Sequence, residues 1–467
     1  MSLGAAAPAE SAEDSYLEPA KKLPARRFDV VVAGGGTAGV IAAIAAARQG
    51  AKTMLVERKG YVGGTVVEGG TALHSYYNLW KPFPGVAKRN VVRGIPMEIV
   101  DRLLKIGGTC GYPEMLRNFG YDSVGSAIDT EMYKLVAHEM LDEAGVFVAV
   151  NTLLVGAVRN GSRVEGVIIE SRSGREAVFA KALVDCTAYG DLSAHAGAAY
   201  SEPNDYAVCN SMGVANVDVE RVCQWLKSGD ALGDYCEGLR DGKENQIVRF
   251  SGQVAKISAE FGRGLSSLGT SFVTTTVRDN YFMFIKVNIN LPVSPTSRDA
   301  VAKAELELRR RQQMSIDLFR QHVPGCERAF IARTSPSLNI RRGRLIKCDY
   351  DITRSDVLEA RHFEDDVMAY GFHDSAPRLQ IKNGGTYGVP YRALRVAGID
   401  NLLAAGMLIT SDHDAHMSTR NTVCSMGQGQ AAGTAAALCS ARGCGSRDLS
   451  YSELRTALIK GGVYLEG

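Results

Sequence analysis

The chain has little that would select a charged partner, a metal ion or a membrane. Its 467 residues carry a net charge of only +2, so no excess of either sign points to nucleic acid or to a charged lipid surface. No apolar run is long enough to span a bilayer. The first 27 residues are rich in Ala, Pro, Glu and Lys without an apolar segment. They predict a disordered arm over residues 1–27 rather than a signal peptide. Ten cysteines are present, but none forms a C-x-x-C pair or a zinc-ligand spacing. Scattered thiols of this kind predict buried, reduced cysteines in a cytoplasmic protein.

What is present is one ordered stretch from Phe28 to Glu57. A β-branched run, Val30–Val32, meets a glycine turn at Gly34, Gly35 and Gly36. A small-residue helix follows, then a second apolar run ending on Glu57. Gly34 allows a sharp turn off the strand, Gly36 a close approach of backbone to a pyrophosphate, and Gly39 tight packing of helix on strand. The helix N-terminus offers unpaired N–H groups to phosphates. Glu57, about 20 residues past the glycines, can accept hydrogen bonds from ribose hydroxyls. The order of strand, glycines, helix, strand and acid predicts a dinucleotide site. No closely spaced cysteine pair follows, the first cysteine being Cys110, which excludes relay of electrons to a disulfide.

A second glycine pair, Gly63-Gly64-Thr65, comes soon after Glu57-Arg58. With Asp29–Gly39 and Glu57–Thr65 it resembles the FAD-dependent oxidoreductases of the two-dinucleotide-binding-domain superfamily, whose fold is related to that of succinate dehydrogenase and fumarate reductase flavoproteins. Further blocks share the resemblance: Arg93–Leu104, Asp185–Asp191, Asn339–Arg344 with Asp349–Val357, Tyr387–Leu394, and His413 through Arg420 to Gly433. The resemblance covers both ends of the chain and weakens between Asn204 and Pro336. Ala188 stands where the family usually has glycine, and Met407 where it usually has arginine.

The resemblance implies FAD as cofactor and a small-molecule substrate. It assigns to the cofactor Gly34, Gly36, Thr37, Ala38 and Gly39, then Glu57, Arg58, Gly63, Gly64 and Thr65. Leu154 is expected beside the adenine, with Thr187, Gly190, Asp191 and Gly406 returning the chain to the cofactor. Gly429, Gln430 and Ala431 are expected to open a helix aimed at the flavin. His413 and Arg420 lead as catalytic residues. Histidine titrates near neutrality, as general acid–base work requires, and arginine can grip a carboxylate or an anionic transition state. A second role stays open for His413, a hydrogen bond to flavin or backbone. Arg341 and Arg344 are expected in salt bridges to Asp349 or Asp351. No metal is expected, although His413, Asp414 and His416 are close in sequence.

The fold expected is α/β. A Rossmann-like FAD-binding domain, residues 28–203 and 385–445, has a parallel sheet and a small antiparallel crossover. An inserted α+β substrate or cap domain fills 204–384, and a C-terminal helix lies within 446–467. Within the insert, Phe272–Val277 and Tyr281–Ile289 predict a hairpin around Asp279-Asn280, and Arg298–His322 a long helix ended by Pro324-Gly325. Ser450 and Glu453 predict a capping box. The expected function is hydride transfer between an organic substrate and flavin N5. Two alternatives share the motifs: a nicotinamide-dependent dehydrogenase, and a flavin-binding protein with a non-redox or structural role.

Overall fold

A computed structural model describes residues 16–70, 73–74, 76–78, 87–113, 115–117, 125–372, 381–382 and 385–466. The larger part of the expected N-terminal arm, residues 1–15, lies outside this range. The first strand, β1 (Ala25–Ala33), begins before residue 28, so residues 25–27 belong to the sheet and not to an arm.

β1 is followed by helix α1 (Thr37–Arg48) and strand β2 (Thr53–Val56). Val30 to Ala33 and Thr53 to Val56 are buried throughout, which is why these strands read as continuous apolar runs rather than alternating ones. Strands β3 (Phe147–Ala149), β4 (Leu153–Asn160), β5 (Arg163–Ser171) and β6 (Gly174–Asp185) complete most of a seven-stranded sheet in the order β3-β2-β1-β6-β5-β4. β1 pairs in parallel with β2 and β6, and β2 with β3. β4, β5 and β6 form the antiparallel crossover. The crossover is fused to the parallel sheet, because β6 is one long strand. Its first half pairs with β5 and its last residues pair in parallel with a late strand, Leu402–Ala404.

The insert builds a second core. Strand β7 (Val208–Ala215) pairs antiparallel with β8 (Tyr281–Ile289) and with β9 (Phe330–Thr334). Helix α2 (Arg298–His322) matches its sequence-predicted bounds. Phe250, Phe261, Phe282 and Phe319 are fully buried there, with Phe250 and Phe282 edge-to-face at 5.6 Å. The predicted hairpin between 272 and 289 does not form. Val273–Thr275 pairs with Lys243–Gly252, whereas β8 pairs with Thr270–Ser271. Two sheets thus compete for one chain segment, and each takes part of it.

The chain then returns to the first core through helices α3 (His413–Thr419), α4 (Thr422–Arg442) and α5 (Tyr451–Lys460). α5 starts at the expected place, but the Ser450 side chain makes no capping bond. A full capping box occurs instead at Thr353 and Asp356. All ten cysteines are free thiols, and all but Cys444 are buried. Among the described residues no helix is long and apolar enough to cross a membrane.

Candidate functional site

The site is a cleft of about 610 Å³ where the C-terminal ends of β1, β2 and β6 meet the β7–β8 sheet. Ligands of open α/β sheets bind at such carboxyl ends. Gly34 turns at φ +91°, and a side chain there would strike the Cys186 carbonyl. At Gly36 a Cβ would meet only the Gly64 Cα, at 4.0 Å; this side of the turn is open to the cleft. Gly36 is also the N-cap of α1, without a side-chain cap, so the first-turn N–H groups at Thr37 and Ala38 are left for a ligand. Glu57 is buried at the cleft wall. Its Oε2 accepts from the Gly35 N–H at 2.7 Å and its Oε1 from the Lys59 N–H at 2.8 Å. Burial raises its carboxyl above the usual range, and the two N–H groups oppose that shift. An open glycine turn, an uncapped helix and an oriented buried carboxylate are the donor and acceptor set that a dinucleotide needs, so the residues present fit FAD.

Arg58, Gly64, Thr65, Thr187 and Gly406 also line the cleft. Gly406 is held at φ +105° with its N–H donated to Gln428 at 2.8 Å. Ala188 lines it too and adopts φ +65°. The position holds a left-handed geometry that glycine adopts readily, with alanine in its place.

Other sequence-predicted residues lie off the cleft. Gly39 is pressed against the Gly34 carbonyl and serves helix–strand packing. Gly63 donates its N–H to Gly35 at 2.8 Å and packs beside Val67. Leu154 packs against the first core. Gly190 is the left-handed N-cap of the short helix Asp191–His195. Asp191 accepts from Arg344 at 2.9 Å. That pairing also corrects the expected partners of the arginines. Asp349 is taken by Arg395 and Arg447, and Asp351 by Lys347. Arg341 donates to the Ala207 carbonyl at 2.7 Å and to Asn288 at 2.9 Å, and it lines the cleft.

The small-residue helix does not begin after Gly429. α4 starts at Thr422, and its first turn, with Asn421 and Ser425, borders the cleft. Gly429 and Gly433 lie in mid-helix, where a Cβ would collide with the Ala38 and Ala42 carbonyls of α1. These glycines serve close helix packing. Gln430 ties α4 to its neighbours, accepting from the Ile95 N–H at 3.0 Å and donating to the Gly461 carbonyl at 2.8 Å. Ala431 is fully buried.

His413 and Arg420 lie at the two ends of α3 and both line the cleft. The His413 ring is half-exposed, 4.7 Å from the Tyr206 ring, and its Nδ1 is 3.4 Å from Asp414. The Tyr206 hydroxyl donates to the His413 carbonyl at 2.9 Å, and the Arg420 and Arg342 guanidinium carbons stand 5.8 Å from the Tyr206 ring centre. His416 is buried. Its Nε2 lies 2.8 Å from the Arg341 carbonyl and its Nδ1 3.2 Å from Ser411 Oγ. The carbonyl requires a donor at Nε2, so Nδ1 accepts from the serine hydroxyl. Burial pushes its pKa down to about 3, and it remains neutral.

Asn339, which opens the block Asn339–Arg344, also lines the cleft, as do Tyr206, Ser211 and Lys286, which no sequence motif marks. For Lys286 a signal existed: it is a single cation inside the apolar run Tyr281–Ile289. Burial and the neighbouring charge of Arg341 push its pKa down to about 8.

A family model described as FAD dependent oxidoreductase matches residues 29–458. A 3-oxosteroid 1-dehydrogenase of Mycobacterium tuberculosis is 36% identical over 91 residues. That match spans 20% of this chain and only 15% of the relative's length. Among solved structures, a geranylgeranyl bacteriochlorophyll reductase-like protein from Thermoplasma acidophilum aligns over 94% of this chain and 85% of its own, with TM-score 0.46 and 15% identity. A p-nitrophenol 4-monooxygenase from Pseudomonas putida aligns over 95% and 90%, with TM-score 0.45 and 10% identity.

Proposed function

The chain belongs to the FAD-dependent oxidoreductase family, and we propose that it oxidises or reduces a small organic molecule held in this cleft. FAD bound there supplies N5 as the position that takes or gives the hydride. The observation that carries the reading is continuity: one cleft runs from the open glycine turn and Glu57 to His413 and Arg420. Gly36, Thr37 and Ala38 hold the pyrophosphate through backbone N–H groups, and Glu57 holds ribose hydroxyls. Arg58, Gly64, Thr65, Thr187 and Gly406 wall the remaining length. The half-exposed His413 ring gives or takes the proton that accompanies the hydride. Arg420 steadies the negative charge that develops on the substrate.

The visible spectrum of the purified protein and the identity of its released chromophore test the cofactor. An anaerobic substrate screen that watches the flavin band bleach then tests the chemistry. His413→Gln is expected to slow bleaching about 100-fold with flavin content unchanged. Bleaching at the unaltered rate would remove His413 from the reaction, and a chain that refuses FAD would overturn the reading as a whole.

A further inference from the structure

The β7–β8 sheet has two unlike faces. Asn210 points to α2 and accepts from Gln312 at 2.9 Å. Its neighbours Cys209 and Ser211 line the cleft instead, as strand alternation requires. Ser211 is the direct antiparallel partner of Lys286, so hydroxyl and ammonium stand side by side on the cleft face.

This face carries polar groups that the protein does not satisfy. Ser211 is 1% exposed, and its hydroxyl has no hydrogen-bond partner among the described residues. Lys286 sits 5.5 Å over the Phe284 ring, and no carboxylate among the described residues pairs with it. The fork of Arg341 reaches only neutral acceptors, the Ala207 carbonyl and the Asn288 amide. The nearby acids are engaged elsewhere. Glu68 is paired with Lys59, Asp205 with Arg342, and Glu57 takes two backbone N–H groups. Burial first, and then the charges of Arg341, Arg420 and Arg249, depress the Lys286 ammonium, with the Cys209 thiol opposing them. Lys286 and Arg341 are half-buried cations with no carboxylate partner among the described residues, an arrangement that favours the arrival of an anion.

We propose that Lys286, Arg341 and the Ser211 hydroxyl form a carboxylate-binding subsite, so that the substrate of this oxidoreductase is an organic carboxylate. The proposal rests on the redox reading of the cleft and names its substrate class. Lys286 provides a point charge, Arg341 a further cation fixed by its two neutral partners, and Ser211 a donor to a carboxylate oxygen. Arg420, at the end of α3, lines the same cleft and is assigned to the reacting end of the molecule.

FAD-loaded protein is titrated with succinate, with succinamide as its uncharged counterpart, and with inorganic phosphate, read by the flavin difference spectrum and by the thermal midpoint. The flavin spectrum before any addition reports whether the cofactor reading holds, separately from anion binding. Saturable succinate binding is expected, at least about tenfold tighter than succinamide. Lys286→Met is expected to weaken succinate at least about tenfold and leave succinamide unchanged, because the methionine chain fills much the same space over Phe284 and removes the charge. Lys286→Arg is expected to retain most of the affinity. The idea is overturned by equal binding of succinate and succinamide, by no succinate binding, or by Lys286→Met leaving succinate affinity intact. Phosphate binding tighter than succinate would overturn the carboxylate assignment. Loss of FAD from Lys286→Met would instead place the cofactor's own phosphates on this face, and would overturn it as well.

Discussion

Ala188, at φ +65°, holds a conformation in which an L side chain crowds its own carbonyl at a cost of about 1–2 kcal/mol. Glycine there would remove the crowding but release about 0.5–1 kcal/mol of extra freedom in the unfolded chain. Ala188→Gly is therefore expected to stabilise the protein by up to about 1 kcal/mol, read as a raised Tm. His416 acts in the opposite sense on acid stability. Its ordinary pKa of 6.5 is depressed to about 3 by burial, with Arg342 and His413 adding positive charge and the Arg341 carbonyl opposing them. The Tyr206 ring and Ser411 complete its surroundings. Between those values the unfolded chain binds a proton that the folded one refuses. The contribution is intact above pH 6.5 and lost as pH falls toward 3, by up to about 1.4 kcal/mol per pH unit. Denaturant titrations at pH 7 and pH 5 should show a shallower loss in His416→Gln than in the parent. Equal losses would mean that other groups set the acid limit.

The pairing of α1 with α4 is the element on which the cleft depends, because α1 carries the open N-terminus and α4 presses on its flank. Gly429 and Gly433 allow that approach, with the Ala38 and Ala42 carbonyls where side chains would be. Backbone cannot swing aside as a side chain can. Gly429→Ala is expected to cost about 2–3 kcal/mol and to lower flavin content by shifting Thr37 and Ala38. Gly443→Ala provides the contrast: its φ is +65° and nothing lies within 4 Å, so it should cost about 1 kcal/mol and leave flavin content alone. The same pair shows what sequence does and does not reveal. The G-Q-A-A-G block was visible as a small-residue helix, yet its glycines looked like a cofactor approach. Helix packing and phosphate approach both demand glycine, and only the partner helix tells them apart. The β1–α1–β2 unit was legible throughout, since strand, turn, helix and acid lie within one short stretch. α2 was legible from its apolar period and its Pro-Gly stop. The 272–289 hairpin was misread because pairing with a distant strand, Lys243–Gly252, outweighed the local turn.

The cleft is made by two bodies that are far apart in sequence. One wall comes from the ends of β1, β2 and β6, the other from β7, β8 and the segment around Asn339. That is why Lys286 and Ser211 escaped the sequence: each acquires meaning only from the residue across the sheet and from the cleft that both line. Direct ties between the walls include the Arg344–Asp191 pair and a cluster at the short helix Thr65–Gly69. There the Glu68 carbonyl accepts from Arg333 at 3.1 Å and from Ser335 at 2.7 Å, and the Glu68 carboxylate binds Lys59 and Ser337. A cofactor lying along the cleft would add ties over its whole length and bind only the folded chain. At a thousandfold excess over its Kd, such binding stabilises by about 4 kcal/mol. Stripping FAD is thus expected to lower the Tm and to speed amide hydrogen exchange on both walls, in α1 and β2 and also in β7 and β8. Faster exchange confined to α1 and β2 would mean that FAD touches one wall only. The β7–β8 face would then be left wholly to the substrate.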